Sequence, residues 1–441
     1  MPVLLFQVKL REYYNLNSVR SIMNKEYQQQ TYTSIFRFRL LNSLQSPAYR
    51  LYFLGSLGQF AAMNMQMVNN PLLLYRLTGS ATLLGLMSLI GSFPLIIMSF
   101  WGGAIADRVS KKIIMVMGSI ACGFINLGIA LALEIGFLSR EVPGSYWILI
   151  GAFCIQGAIF GLMMPALQAI ITEIVNKENL MNAIALSNLE MNALSLVTPG
   201  LAGLIIDTFD FQAVYYLITG FYLYQTIFFM FIPAGKRSSL QRGKIIEDIA
   251  RGIGYIRENR LIFFILIFTL AMVVLTMPYQ QLLPIYADDI LKVGATGMGI
   301  MMSMTGAGAL GCSLILAAVP AKRRGLLLLI GGLIAGSALL GFAFSSCWYA
   351  SLSLLVLIGL SQTMRNTIGT ALLQSYTEAQ FMGRVMSMQN VQFGVMSLFT
   401  FFVGVLADIF PVRWVVGSLA LGLLVISLVA FSIASRIRSL N

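Results

Sequence analysis

Gly102-Gly103-Ala104-Ile105-Ala106-Asp107-Arg108-Val109-Ser110-Lys111-Lys112 is a short charged hinge between two long apolar runs, at roughly residues 80–104 and 113–135. Glycine lets a backbone turn and lets a neighbouring helix come close, so Gly102 and Gly103 suit a helix leaving a membrane. Three cations just beyond that exit are costly to pull through lipid, which holds the hinge on the cytoplasmic side. Asp107 is the odd residue among them. Its carboxylate can sit at the positive N-terminus of a neighbouring helix or pair with Arg108, and either contact can differ between two conformations.

The whole chain repeats this pattern of apolar runs and charged hinges. It is 58% hydrophobic and 10% charged over 441 residues. Soluble domains carry about 25% charged residues, so a water-soluble fold is excluded. The net charge of +12 lies between the apolar runs rather than on one face, which argues against nucleic acid as a partner. There is no histidine, which removes the commonest metal ligand and general base. Cys122, Cys154, Cys312 and Cys347 fall in or beside apolar segments and read as small buried hydrophobes, not a disulfide framework or a metal site.

A membrane-spanning helix needs about 20 mostly apolar residues. Spans are expected at 50–74, 80–104, 113–135, 145–170, 183–207, 212–233, 261–286, 294–318, 325–345, 347–372, 383–408 and 412–434. Of the 29 lysines and arginines, only Arg76, Arg140, Lys292 and Arg413 fall in one set of connecting loops, and Arg365 lies within a span. The positive-inside rule then places both termini in the cytoplasm. The N-terminal stretch has no basic region ahead of its apolar residues and is expected to be retained, with Phe36-Arg37-Phe38-Arg39-Leu40-Leu41 suited to the membrane surface.

The expected organisation is a cytoplasmic tail (1–46), a six-helix bundle (47–233), a cytoplasmic linker (234–260), a second six-helix bundle (261–434) and a short tail (435–441). In the linker, Ile246, Ile249, Ile253 and Ile256 recur on one helical face among seven cations, as in an amphipathic helix on the inner membrane surface. The halves are related. Ala166 to Glu173 lines up with Ala371 to Glu378, and Met181, Asn188, Gly203 and Asp207 correspond to Met382, Gln389, Gly404 and Asp408. Repeated halves are how many secondary transporters build two alternating openings around one site.

The opening hinge also resembles the loop between helices 2 and 3 of the major facilitator superfamily, G-x-x-x-D-R-x-G-R-R/K. Gly103, Asp107, Arg108, Lys111 and Lys112 fit it, and Ser110 replaces a glycine. The second copy, Pro320-Ala321-Lys322-Arg323-Arg324, keeps its cations and has lost the acid. Leu74 to Ser80, Gly383-Arg384-Val385-Met386-Ser387 and the 251–260 stretch look like the macrolide-efflux and enterobactin-exporter branch of the drug:proton antiporters. The resemblance covers about residues 48–430. It implies twelve helices in two pseudo-symmetric bundles, a monomer, a latch on the cytoplasmic gate that includes Arg384, and a cavity lined by helices 1, 4, 7 and 10. Val197 to Gly203, with Pro199, Gly200 and Gly203, is similar to the exporters' G-P-x-x-G-G motif, with Thr198 and Ala202 in place of two glycines.

Polar residues within spans are the remaining candidates. Glu190 and Arg365 are the charged ones. Two readings fit them: a pair across the inner gate that couples protonation to opening, or separate lining of a wet vestibule. Gln59, Asn64 and Gln66 in helix 1, Gln156 and Met163 in helix 4, Tyr279 and Gln280 in helix 7, and Gln362 and Asn366 in helix 10 are candidate cavity residues. Each amide alone is equally well read as an interhelical hydrogen bond. Methionines such as Met63, Met67 and the 298–304 cluster suit either helix packing or a promiscuous apolar pocket.

The expected protein is an all-α membrane transporter of the plasma membrane, not an enzyme, with no cofactor and no metal. It is expected to export an amphipathic small molecule (a drug, macrolide-like compound or siderophore) by alternating access, with protons as the coupling ion and lipid as its surroundings. The branch's usual arginine in helix 4 and acid in helix 1 are both missing, which leaves the coupling ion open. An importer or a lysolipid-type flippase of the same fold is the alternative.

Overall fold

The computed structural model describes residues 42–106, 109–176, 178–233, 254–318, 323–378 and 381–433. Asp107, Arg108, the segment Phe36–Leu41 and the linker isoleucines 246, 249 and 253 lie outside them. The described chain is helical: α1 (Pro47–Thr78), α2 (Ala81–Ala106), α3 (Lys111–Glu134), α4 (Tyr146–Ile174), then α5 and α6 in one run (Leu180–Met230). After the linker come α7 (starting as Arg260–Thr276), α8 (Gly294–Ala318), α9 (Arg324–Phe344), α10 (Trp348–Tyr376), α11 (Met382–Ile409) and α12 (Val412–Ile433).

Local chemistry sets these boundaries. Ser46 caps α1 by accepting from Tyr49 N, Pro47 occupies the first turn where no N–H is needed, and Gly79 ends the helix at φ 67°. No loop separates α5 from α6. Asp210 alone breaks the run (φ 70°, ψ 172°), and its Oδ1 accepts from Phe211 N at 2.7 Å to start α6. α7 is loosened where Pro278 and Pro284 withhold backbone donors: Pro278–Gln281 and Leu283–Ile285 follow as short turns, then a wider five-residue π turn, Tyr286–Ile290.

Nine of the described helices are long and apolar enough to cross a membrane. The 51-residue run Leu180–Met230 crosses twice, and α1 and α10, diluted by amides, complete twelve. The distribution of polarity is inverted relative to a soluble protein. Gln59, Asn126, Gln156 and Gln225 are buried, while Phe93 (64% exposed), Phe124 (69%) and Trp414 (66%) face outward. Such a surface is stable only against lipid, so the chain is an integral membrane protein.

α1–α6 and α7–α12 form the two halves, which meet along two seams, α5 with α8 and α2 with α11. Small residues make both seams possible. A Cβ on Gly299 or Gly203 would run into backbone of the opposite helix, at Pro199 O and Ala295 O, and the same holds for Gly404 against Ala81 O. The Pro199–Gly200–Gly203 motif is therefore the N-terminal half's face of one seam, where Gly200 N also donates to Ser303 Oγ (3.1 Å). Cys347 departs from expectation: it is exposed at the start of α10, while Cys122 and Cys312 are buried and Cys154 half-buried.

Candidate functional site: a two-lobed cavity beneath an aspartate clasp

Two adjoining cavities lie between the halves. The first, about 200 Å³, is lined by α1 (Met63, Gln66, Met67, Asn70), α2 (Met87, Gly91, Ser92, Leu95), α4 (Phe153, Gln156, Phe160), Gln280 and Gln281 of α7, and Met302 of α8. The second, about 150 Å³, is lined by Asn64, Ser195, Pro199, Tyr279, Leu283, Thr305 and Gln362. Met67, Gln280 and Met302 line both, so a flexible thioether–amide partition separates an apolar lobe from a more polar one. No charged side chain lines either lobe.

Of the residues expected in the cavity, Asn64, Gln66, Gln156, Tyr279, Gln280 and Gln362 are brought together here. Gln59 is not: it pairs with Gln225 of α6 (2.8 Å) in the buried core. Met163 is also away from the cavity, fully buried where its side chain fills the space beside Gly118 of α3. Asn366 is exposed and lines neither lobe. Sequence reasoning missed the share contributed by α2 and by Phe153 and Phe160, because a purely apolar wall looks like packing. Ser195 and Thr305 were reachable only through the position of the α5–α8 seam, whereas Met302 belongs to the 298–304 methionine cluster already read as suiting packing or a pocket.

Glu190 and Arg365 are both buried, and the structure does not pair them. Both oxygens of the Glu190 carboxyl lie 2.9 Å from Ser56 Oγ of α1. Arg365, 6% exposed, makes no ion pair among the described residues. Depth along a helix is legible from sequence; the direction a side chain takes around that helix is not, and Glu190 turns toward α1.

At one end of the cavity the halves are clasped. Asp408, at the end of α11, accepts from Ala81 N (2.6 Å), Thr82 N (2.9 Å) and Ser80 Oγ (2.8 Å) at the start of α2. Asp207, near the end of α5, accepts from Thr296 N (2.7 Å) and Ala295 N (3.3 Å) at the start of α8. Each carboxylate thus satisfies orphan donors at a helix N-terminus of the opposite half and lies at the positive end of that helix's dipole. These are the two aspartates paired by the internal repeat. Around them, Arg76 grips Asp288 through two bonds (2.9 and 3.2 Å), Tyr75 donates to Asp289, and Arg140 donates to the Arg76 carbonyl.

The hinge quoted at the outset lies at the other end. Gly103 falls in the last turn of α2, and Lys111, at the first turn of α3, pairs with Glu173 at the end of α4 within the same half; Lys112 is half-buried beside it. In the second half, Arg384 lies over the Phe381 ring (5.3 Å), which stacks on Tyr255. Tyr255 and the buried Ile256 dock the end of the linker against the second bundle, where Tyr255 Oη accepts from Glu378 N (3.2 Å).

Known proteins match this arrangement. The chain is 24% identical to the staphyloferrin A transporter of Staphylococcus aureus over 81% of its own length and 89% of that protein. It is 24% identical to the enterobactin exporter EntS of Shigella boydii over 78% of its length and 82% of that protein. Among solved structures, a POT family transporter in complex with 5-aminolevulinic acid superposes with a TM-score of 0.71 at 13% identity, covering 88% of this chain and 96% of that one. The family model of the Major Facilitator Superfamily matches residues 52–399. With twelve helices in two halves about a shared cavity, the chain belongs to the Major Facilitator Superfamily of membrane transporters.

Proposed function

We propose that this transporter exports amphipathic small molecules by alternating access, with the clasped end as its outer gate and the Gly103–Lys112 hinge as its cytoplasmic latch. The observation that carries the reading is a charge-free, two-lobed cavity lined by both halves, which a pair of crosswise carboxylate bonds also ties one to the other. Such bonds are made and lost as a unit when the halves rock, whereas the cavity walls come from both halves and persist. The cation distribution supports a cytoplasmic latch end, since the loops of the clasped end carry only Arg76, Arg140, Lys292 and Arg413. The relatives, named as a staphyloferrin A transporter and an enterobactin exporter, support a small-molecule substrate, and the second name supports outward movement.

In this reading, Glu190 is the proton-carrying group and operates without Arg365 in the clasped state. One hydroxyl hydrogen on Ser56 cannot serve both carboxyl oxygens and Phe53 O at once, so the charged carboxylate is poorly satisfied there. Opening of the cavity toward water on the cytoplasmic side changes that balance and couples proton release to the conformational change. The test is transport in proteoliposomes with an imposed pH gradient. Glu190→Gln is expected to retain substrate binding and exchange while losing gradient-driven accumulation; accumulation at the wild-type level would remove Glu190 from the mechanism.

A further inference from the structure

Beside the apolar lobe stands a buried chain of amides whose direction is set from one end. Asn126 of α3 is fully buried, and its Nδ2 donates to Cys122 O (2.7 Å), a group that can only accept. Its Oδ1 therefore faces the other way and accepts from Gln66 Nε2 of α1 (2.8 Å). Gln66 Oε1 is held by the Tyr222 hydroxyl of α6 (3.3 Å), and the same Nε2 reaches Gln156 Oε1 of α4 (3.4 Å). An amide is ordinarily ambiguous, because its oxygen and nitrogen are nearly interchangeable in shape. Here turning Gln156 over would set two NH2 groups against each other. The atom left over is Gln156 Nε2. It is buried, on a side chain only 2% exposed that lines the lobe, and it has no hydrogen-bond partner.

We infer that Gln156 is a specificity-determining donor, held ready by Gln66 and Asn126 for an uncharged acceptor oxygen (carbonyl, ester or ether) on a substrate whose apolar body fills the first lobe. This rests on the two-lobed cavity being the substrate site. The chemistry follows from what surrounds the donor. Met63, Met87, Leu95, Phe153 and Phe160 offer only apolar contact, and no cation lines the lobe to compensate a carboxylate there. A buried donor left unmatched is penalised, so the site discriminates against a ligand that fills the lobe but lacks the oxygen. Gln66 and Asn126 are positioning residues: they touch Gln156 or each other and leave the NH2 end of the Gln156 amide as the unpaired one.

The test uses benzophenone and diphenylmethane, which differ by a carbonyl in place of a methylene, in equilibrium dialysis against the purified full chain in detergent. The ratio of their dissociation constants is compared among wild type, Gln156→Leu, Gln156→Met and Asn126→Leu, so that differences in detergent partitioning cancel. A single hydrogen bond predicts that wild type favours the ketone by about five- to tenfold over the ratio seen in Gln156→Leu. Gln156→Met, which keeps an unbranched side chain of similar length and removes the donor, loses the same preference, and Asn126→Leu loses part of it. Ser92→Trp, which fills the lobe, serves as the reference. If Ser92→Trp abolishes binding of both compounds while the ratio is the same in wild type and both Gln156 variants, the role of Gln156 is overturned and the cavity stands. If Ser92→Trp leaves both compounds bound, or wild type binds neither, the cavity assignment falls as well.

Discussion

Replacing both clasp aspartates by asparagine opens the outer gate in this account, and the size of the effect follows from the geometry. Asp408 receives three hydrogen bonds and Asp207 two, all at helix N-termini of the opposite half. Asparagine keeps one acceptor oxygen but points an NH2 group at the second set of donors and loses the charge at the positive helix end. A carboxylate at a helix N-terminus contributes about 0.3–2 kcal/mol, so Asp408→Asn is expected to cost the clasped state about 1–2 kcal/mol and Asp207→Asn about 1 kcal/mol. The two do not touch and bias the same equilibrium, so they add to about 2–3 kcal/mol, a shift of about 30- to 150-fold toward the opened form. The assay is labelling of a single cysteine at Met67, which lines both lobes, in a background with the four native cysteines replaced by alanine. A membrane-impermeant thiol reagent added outside whole cells reaches that position only when the clasp is open. The double variant is expected to label far faster than wild type and each single variant by an intermediate amount. A double variant that labels within twofold of wild type would refute the clasp.

Three further outcomes follow from the same structure. Gly299→Val drives a side chain into Pro199 O across the α5–α8 seam and is expected to cost about 1–3 kcal/mol, whereas Gly311→Ala, which meets open space, is neutral; thermal unfolding in detergent separates them, and equal shifts would contradict the seam. Arg76→Gln breaks an ion pair whose side chains are 35% and 20% exposed, so its effect on Met67 labelling stays below about 1 kcal/mol and shrinks in high salt. Glu173→Gln strips Lys111 of its partner where the two side chains are only 14% and 18% exposed, and is expected to lower the stability of the latch end by about 1–3 kcal/mol; a melting transition unchanged from wild type would show the pair to be idle.

Much of this was legible from the chain because lipid imposes strict rules. Helix length and charge-poor runs located the twelve helices, including α1 and α10, whose amides dilute their apolar character. The internal repeat pairs Asp207 with Asp408 in the sequence itself, yet what each holds is visible only in the fold. An aspartate ending a helix looks like an exposed terminus in one dimension; its partners, Ala81 and Thr296, sit hundreds or scores of residues away in the opposite half. The break between α5 and α6 was expected as a short loop, but a single residue, Asp210, suffices because its backbone takes a conformation that leaves both helices intact.

The site residues divide along the same line. Amides in α1, α4, α7 and α10 stood out because polar groups in lipid are costly, and six of the named residues do line the cavity. Which amides face the cavity and which face another helix depends on rotation about the helix axis, and there Gln59 and Gln156 part company: one pairs with Gln225 in the core, the other lines the cavity. Glu190 was identified by its charge, but its neighbour Ser56 is an ordinary serine with nothing in its sequence context to mark it.

The central claim is that the two halves rock about the cavity so that closing one end opens the other. Paired spin labels test it most directly, one pair at Glu141 and Lys292 on the clasped end and a second at Glu178 and Ser375 on the latch end, all exposed positions in opposite halves. Distances measured in wild type and in the Asp207→Asn/Asp408→Asn variant are predicted to change in opposite directions, the first lengthening as the second shortens. Distances that lengthen together, or a clasped end that stays fixed while the latch end moves, would contradict the account.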